Sequence, residues 1–562
     1  MEPKMKNSST KHLNERSGSK IITPPLLTRA DQISRLTDEA YDILIIGGGV
    51  TGAYCAFDAS LRGFQVALVE KNDFASGTSS KSSKMVHGGL RYIEQGNLNL
   101  VRHSLHERQR MRRNARHLVQ RLPFLFPVLE KDGIFNARHA RAFNNLLWTY
   151  DLAGGWREGI LHKNLTAAEV LEHCPTLKNE SLRGGLLYYD ARVDDARLTL
   201  TLARSAASHG ATIINYAKAT ELTRTSGRVD GAIIHTAEET EIHVRAKTVI
   251  MATGVWMRDF ADFGKDVEKP FHVRPAKGVH VAIPWIKIRN DCTVTIPVPG
   301  RNRRATITRW GDVAYLGTTD EDYQGDLNDI HCTRKELDFL IEGACSALDI
   351  SLGVDDIVGS IAGCRPLVSA SSSVSTTNIK RDHSVHVMRD GLILIIGGKL
   401  TTSRHMAEQT IDAAAKLLGD RRRCKTRKAF LLGAEGYDAQ AIVASGGLAA
   451  HLGERYGMEA CFVTELIAKC PALGQPIVEG LAYTKAEVVY AARYELARTI
   501  DDVLARRMRA RLMARDASAR AAAEVGRLLQ DELGLSSLEI DKQISDYRAS
   551  IETEKSILIG AE

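Results

Sequence analysis

Three short stretches carry side chains whose types and spacing could do chemistry together. His87-Gly88-Gly89-Leu90-Arg91-Tyr92 sets a histidine and an arginine four residues apart around two glycines. That spacing can present a proton acceptor and an anion clamp to one cleft. In Gly363-Cys364-Arg365-Pro366-Leu367 the proline restricts Arg365 to extended backbone and so holds its guanidinium in one direction. Gly397-Gly398-Lys399-Leu400-Thr401-Thr402 follows the apolar run Leu392 to Ile396 and precedes a helical stretch to about Leu418. A helix N-terminus with a lysine beside it can stabilise negative charge. Read singly, His87 also suits a structural turn and Arg365 half of a salt bridge.

The element that has to position them is Tyr41 to Gly52, YDILIIGGGVTG. Asp42 to Ile46 reads as a strand buried on both faces of a parallel sheet, and Val50 to Leu61 as the following helix. Gly47, Gly49 and Gly52 supply G-x-G-x-x-G: a tight turn, a close backbone approach to a pyrophosphate and close helix-on-strand packing. A second strand, Gln65 to Val69, ends in Glu70, near the distance at which an acid reaches a ribose hydroxyl pair. Thr78, Ser79, Ser80 and Ser83 follow in a loop whose small side chains and free N–H groups suit phosphates and a ring system. Further strands are expected at Ala211 to Tyr216, Thr248 to Ala252 and Val313 to Gly317, and a helix capped by Asp194 or Asp195 leads into the first of them. Thr248 to Ala252 closes on Thr253-Gly254, which, coupled to the first motif, looks like the second dinucleotide contact of a flavin domain.

At 562 residues the chain needs more than one domain. A composition of 44% hydrophobic and 25% charged residues suits a globular protein, and no apolar run reaches the ~18 to 20 residues of a spanning helix. The nine cysteines include no C-x-x-C pair, so neither a disulfide framework nor a metal site is signalled. A net charge of +7 favours anionic partners. Residues 1–38 read as a flexible basic arm, 39–418 as the catalytic unit and 419–562 as a helical region that caps the flavin domain, meets a membrane or dimerises. Residues 98–122 read as one basic helix ended by Pro123. Its arginines could meet anionic headgroups with Phe124 and Phe126 at the interface, or it could be a charged face over a buried stripe. It lacks the interleaved aromatics of a nucleic-acid site, so no nucleic-acid partner is expected.

GGGVTG at 47–52, TSSKSSKMVHGGLRY at 78–92, VDDARL at 193–198, ATG at 252–254, GTTD at 317–320, GCRPL at 363–367 and GGKLTTSR at 397–404 together resemble the FAD-dependent glycerol-3-phosphate dehydrogenases. The motifs run in order over about residues 40 to 410; the long arm and Cys364 depart from the family pattern. The resemblance implies an α/β flavoprotein: a Rossmann-like FAD-binding domain, an interleaved antiparallel-sheet substrate domain and an α-helical C-terminal domain. It implies oxidation of sn-glycerol 3-phosphate to dihydroxyacetone phosphate, with hydride passing from C2 to flavin N5 and electrons to a membrane quinone. The alternative within the family is an oxidase that reduces oxygen to hydrogen peroxide. By similarity Arg91, Arg365 and Arg381 clamp phosphate or hydroxyl oxygens, with Lys399 and Thr401 nearby. His87 and Tyr92 face the reacting centre, with His87 as base. Glu70 takes the adenosine ribose, while Gly254, Gly398, Lys399, Leu400 and Thr401 lie against the rest of FAD. The family also implies a homodimer on an anionic lipid surface, attached peripherally to the inner face of the cell membrane, or in mitochondria in a eukaryote.

Overall fold

The apolar run that opens the dinucleotide motif is the strand Tyr41–Ile46, buried except at Asp42. The computed structural model describes residues 26–90, 93, 97–130, 137–263, 272–298, 303–369 and 383–560. Tyr41–Ile46 lies parallel between Val66–Val69 and Glu241–Met251. The sheet continues through Thr212–Ile214 on one side and Ile393–Gly397 on the other, and antiparallel His383–Val387 closes that edge. Both faces are covered, which is why these strands read as unbroken apolar runs. Helices Val50–Arg62, Asp195–Ala207 and Ser403–Leu417 bury Ile43, Ile45, Leu68 and Ile250 on one face. The hairpin Ala217–Thr225 and Arg228–Thr236 covers Leu44, Ile46, Val69 and Met251 on the other.

The second sheet has ten strands and is almost wholly antiparallel, as the resemblance implies. Its spine is His272–Pro284, paired with Gly359–Ser369 on one side and Val313–Gly317 on the other. Helix Arg334–Ala347 seals one face with Leu337, Leu340 and Ala344. Because Gly359–Ser369 carries Arg365 and Ile393–Gly397 leads into Lys399, the junction of the two sheets is where the chemistry-bearing stretches meet.

Two expectations are corrected. The arm is helical over Arg29–Asp38, where Thr28 caps the first turn and Gln32 accepts from the Ile213 N–H at 3.0 Å. That bond shields the sheet's edge strand, and Arg29 pins the helix to Glu238 at 2.6 Å. Residues 1–25 lie outside the described residues. The basic helix ends at Asn114, and Gln120–Leu129 is a strand along Leu182–Arg192. Leu122, Phe124 and Phe126 alternate into one core with Tyr188 and Phe143, while Leu125 faces the other, a period of two that overrides helical spacing. Phe124 and Phe126 are therefore buried, not at a membrane interface. Arg108, which interrupts the helix's apolar stripe, is buried in an ion pair with Asp190.

From Ala439 the chain is helical, with its longest elements Arg515–Leu533 and Ser537–Ile559. These helices have their own core around Val488, Val503, Val525 and Ile551. Among the described residues no helix is long and apolar enough to cross a membrane.

Candidate active site

A cavity of about 470 Å³ runs along the carboxyl ends of the parallel strands. At one end stands Glu70, whose carboxylate accepts from the Gly48 N–H at 2.6 Å and the Asn72 N–H at 2.9 Å. Burial pushes this carboxyl up, against the two backbone donors that favour its ionised form. Midway lies the N-terminus of Val50–Arg62, where the Val50 N–H donates to Ser79 Oγ at 2.9 Å. Gly47, Gly49, Thr78 and Gly254 line this stretch, and Gly398, Lys399 and Leu400 form the far end. Gly52 does not line the cavity. A Cβ there would sit 1.9 Å from Gly47 O, so glycine is what allows the helix to start against the strand. Gly398 has φ +85°, and a Cβ on it would meet Met406 Sδ at 2.3 Å.

A second cavity, about 270 Å³, opens off that far end and shares Gly397, Gly398, Lys399 and Leu400 with the first. It brings together His87, Ser83, Arg365 and Thr401, which are up to 318 residues apart, counting from Ser83 to Thr401. Arg365 donates to Asp320 at 3.1 Å and to Thr318 Oγ1 at 3.2 Å, which holds the guanidinium at the wall. Thr401 Oγ1 accepts from the His87 N–H at 3.1 Å and donates to the His87 carbonyl at 3.2 Å. The next residue is fixed too: the Gly88 N–H donates to Asp190 at 3.2 Å and Tyr150 Oη at 3.0 Å. The backbone of His87 is thus fastened from two sides, by the Gly397–Thr402 turn and by the Arg108–Asp190–Tyr150 group. Ser80 lines neither cavity; its hydroxyl turns back to Gly77 O and its carbonyl accepts from Arg509 at 2.6 Å. Arg91, Tyr92 and Arg381 lie outside the described residues.

Sequence reasoning gave no site role to several residues of the second cavity that carry polar side chains. Lys81 and Asp195 belong to it, and so does His280. His280 Nε2 lies 3.0 Å from Ser83 Oγ, and the ring stacks on Tyr315 with centroids 4.5 Å apart. Burial first, then the cations of Arg365 and Lys84, hold this imidazole well below its ordinary pKa, so it is neutral. A signal existed: in the strand His272–Pro284, Val279, Val281 and Ile283 enter one core, which puts His280 on the opposite face.

Residues 42–412 match the family described as FAD dependent oxidoreductase, and 424–540 match the C-terminal domain of alpha-glycerophosphate oxidase. Glycerol-3-phosphate dehydrogenase 2 of Mycobacterium bovis is 39% identical over 548 residues, 94% of this chain and 90% of that one. The chain belongs to the FAD-dependent glycerol-3-phosphate dehydrogenases. Another member, the mitochondrial enzyme of Arabidopsis thaliana, is 33% identical over 93% of this chain and 88% of its own. The glycerol-3-phosphate dehydrogenase of Bacillus halodurans, solved in complex with FAD, superposes with a TM-score of 0.75 at 26% identity, covering 94% of this chain and 97% of that one. The family's cofactor fits the residues present. The longer cavity offers a carboxylate at one end, a helix N-terminus at its middle and a glycine-lysine turn at the other, with apolar Met251 and Ile396 between.

Proposed function

We propose that the protein oxidises sn-glycerol 3-phosphate to dihydroxyacetone phosphate and passes the electrons to a quinone. The observation that carries this reading is the smaller cavity: it abuts the FAD cavity, and its walls hold Arg365, Lys81 and Lys399 beside two histidines. Such a chamber suits a small dianionic phosphate bearing a secondary alcohol. The names of the relatives point to the same substrate.

Bound FAD supplies the acceptor for the hydride that leaves C2. Arg365, held by Asp320, directs its planar fork at the phosphate, and Arg91 and Arg381 complete the clamp by family resemblance. His87 takes the hydroxyl proton, with Tyr92 beside it by the same resemblance, and the Thr401 bridge keeps its backbone in register with the cofactor turn. His280 also faces this chamber and is a second, weaker candidate for that base, because the burial and the cations of Arg365 and Lys84 that keep it uncharged also oppose its taking a proton. Lys399 and the N-terminus of the helix that follows place positive charge at the junction of the two cavities.

The quinone reading draws support from an exposed apolar strip on the stretch 148–161. Trp148, Leu152, Trp156 and Leu161 are 47%, 78%, 54% and 45% exposed. Arg141, Arg157 and Lys163 flank them, the composition of an interfacial membrane contact. The match of residues 424–540 to an oxidase domain favours the other acceptor, oxygen. Anaerobic glycerol 3-phosphate is expected to bleach the flavin band, and a quinone analogue to restore it faster than air does. Bleaching without preference for the phosphorylated alcohol would overturn the substrate assignment. Hydrogen peroxide formed one-to-one with product would overturn the quinone.

A further inference from the structure

The loop Lys71 to Lys84 serves both cavities: Ser76 and Gly77 line the FAD side, Thr78 and Ser79 line both, and Lys81, Ser82 and Ser83 line the substrate side. It has almost no regular structure of its own, only a single turn at Thr78–Ser80. Its shape therefore has to be imposed from outside.

Val50, Cys364 and Tyr315 hold Ser79, Thr78 and Ser82 from the helix Val50–Arg62 and the second sheet, and a further set of groups comes from the helical C-terminal region, more than 400 residues on. At the start of the loop, Asp73 is buried and accepts from Arg506 at 2.6 Å and from Arg507 at 2.5 and 2.9 Å. Midway, Arg509 donates to the Ser80 carbonyl at 2.6 Å. At the far end the same guanidinium reaches Asp195 at 3.1 Å. Asp195 accepts in turn from the Ser82 N–H at 2.9 Å, the Ser82 hydroxyl at 2.6 Å and Lys84 Nζ at 3.1 Å. Arg507 and Arg509 are 2% and 3% exposed, so their bonds to Asp73, Ser80 and Asp195 are little diluted by water.

The backbone that delivers these arginines is irregular in two places. Asp502–Arg507 is a π-helical turn, and Arg509 has φ +64°, left-handed for a residue with a Cβ. Such geometry persists only where surrounding contacts over-determine it, and π-turns cluster at functional sites. One effect of both is that consecutive arginines, which would diverge on an α-helix, converge on one loop. Arg506 also binds Asp501 and Asp502, each at 2.6 Å, and Arg507 the Glu495 carbonyl at 2.8 Å, so the helical region holds these guanidinia while all three arginines reach the segment that touches cofactor and substrate alike or its partner Asp195.

We infer that Arg506, Arg507 and Arg509 act as positioning residues which hold the Lys71–Lys84 loop in its working shape, making the C-terminal region part of the active-site machinery. The inference rests on the dehydrogenase reading only for its kinetic readout.

The test uses the FAD-loaded full chain with Arg509→Ala and Arg509→Lys. Hydrogen–deuterium exchange of peptides covering 77–83 is expected to accelerate at least tenfold in Arg509→Ala, with exchange in the strand Tyr41–Ile46 unchanged. FAD retained on dilution, read by absorbance, should fall. KM for glycerol 3-phosphate should rise about tenfold or more while kcat changes less than threefold. Arg509→Lys should lie between, because an ammonium keeps the charge near Asp195 without spanning to Ser80. If Arg509→Ala does not fold, the exchange comparison of Arg509→Lys with the parent decides. Unchanged exchange at 77–83 in a folded variant overturns the inference, and so does a global loss of protection with kinetic constants of the folded fraction intact. Failure of glycerol 3-phosphate as substrate would leave exchange and FAD retention as the deciding readouts.

Discussion

Replacing Arg365 by alanine separates its two possible duties, anion clamp and salt bridge. Arg365 lines the substrate cavity and not the FAD cavity, although its neighbour Pro366 lines both. FAD content should therefore stay near that of the parent. A hydrogen bond to a charged group contributes about 1.5–3 kcal/mol, so loss of a forked contact with a phosphate costs roughly 3–5 kcal/mol after desolvation. The change also strips Asp320 of a cation 3.1 Å away and leaves that carboxylate beside the incoming dianion. At about 1.4 kcal/mol per decade, the expected rise in KM is roughly two to three and a half orders of magnitude. Anaerobic titration of the flavin band gives substrate affinity and FAD content in one experiment. Arg365→Lys should recover part of the loss, since charge returns without the planar fork. Asp320→Asn is the control, keeping the guanidinium but loosening its anchor, with an expected effect of about tenfold. If Arg365→Ala holds its FAD and binds glycerol 3-phosphate within threefold of the parent, the clamp reasoning is refuted and Arg365 is a structural partner of Asp320.

Three further outcomes are expected. Gly52→Ala should yield a colourless protein on purification, because its Cβ would lie 1.9 Å from Gly47 O and push the helix off the strand; retention of FAD would contradict the packing argument. Of His87→Asn and His280→Asn, the one that removes the base should lower kcat by about 10²–10⁴ in single-turnover reduction, and the other far less; equal small effects would place the base elsewhere. Arg507 and Arg506 overcome the burial that alone would raise Asp73, and hold its carboxyl down at about 2 from an ordinary 3.8. That stability is present above the ordinary pKa and lost as pH falls from about 4 through 2, roughly 2 kcal/mol in all. Urea denaturation at pH 7 and pH 3 should show the parent losing more stability than Asp73→Asn over that interval; parallel losses would refute it.

What could be read from sequence was whatever depends on neighbours in the chain. The strand Tyr41–Ile46, the three glycines, the helix after them and Glu70 follow from local sterics and from periods of 2 and 3.6. Asp194 caps its helix as its residue type dictates, accepting from the Arg197 N–H at 3.3 Å. The basic helix overran where a local pattern admits two outcomes. Leu118 and Leu122 continue a helical stripe, yet Leu122, Phe124 and Phe126 also alternate, and pairing with Leu182–Arg192 decides for the strand. The sequence by itself pointed to a dinucleotide cradle at Gly47–Gly52, because such a cradle is built from consecutive backbone. Only the tertiary structure decided that His280 shares a chamber with Arg365, that Thr401 fastens His87, and that Arg509 reaches Ser80. Those pairings join strands and turns hundreds of residues apart, and which buried charge meets which is set by how the two sheets and the helical region pack, not by spacing along the chain.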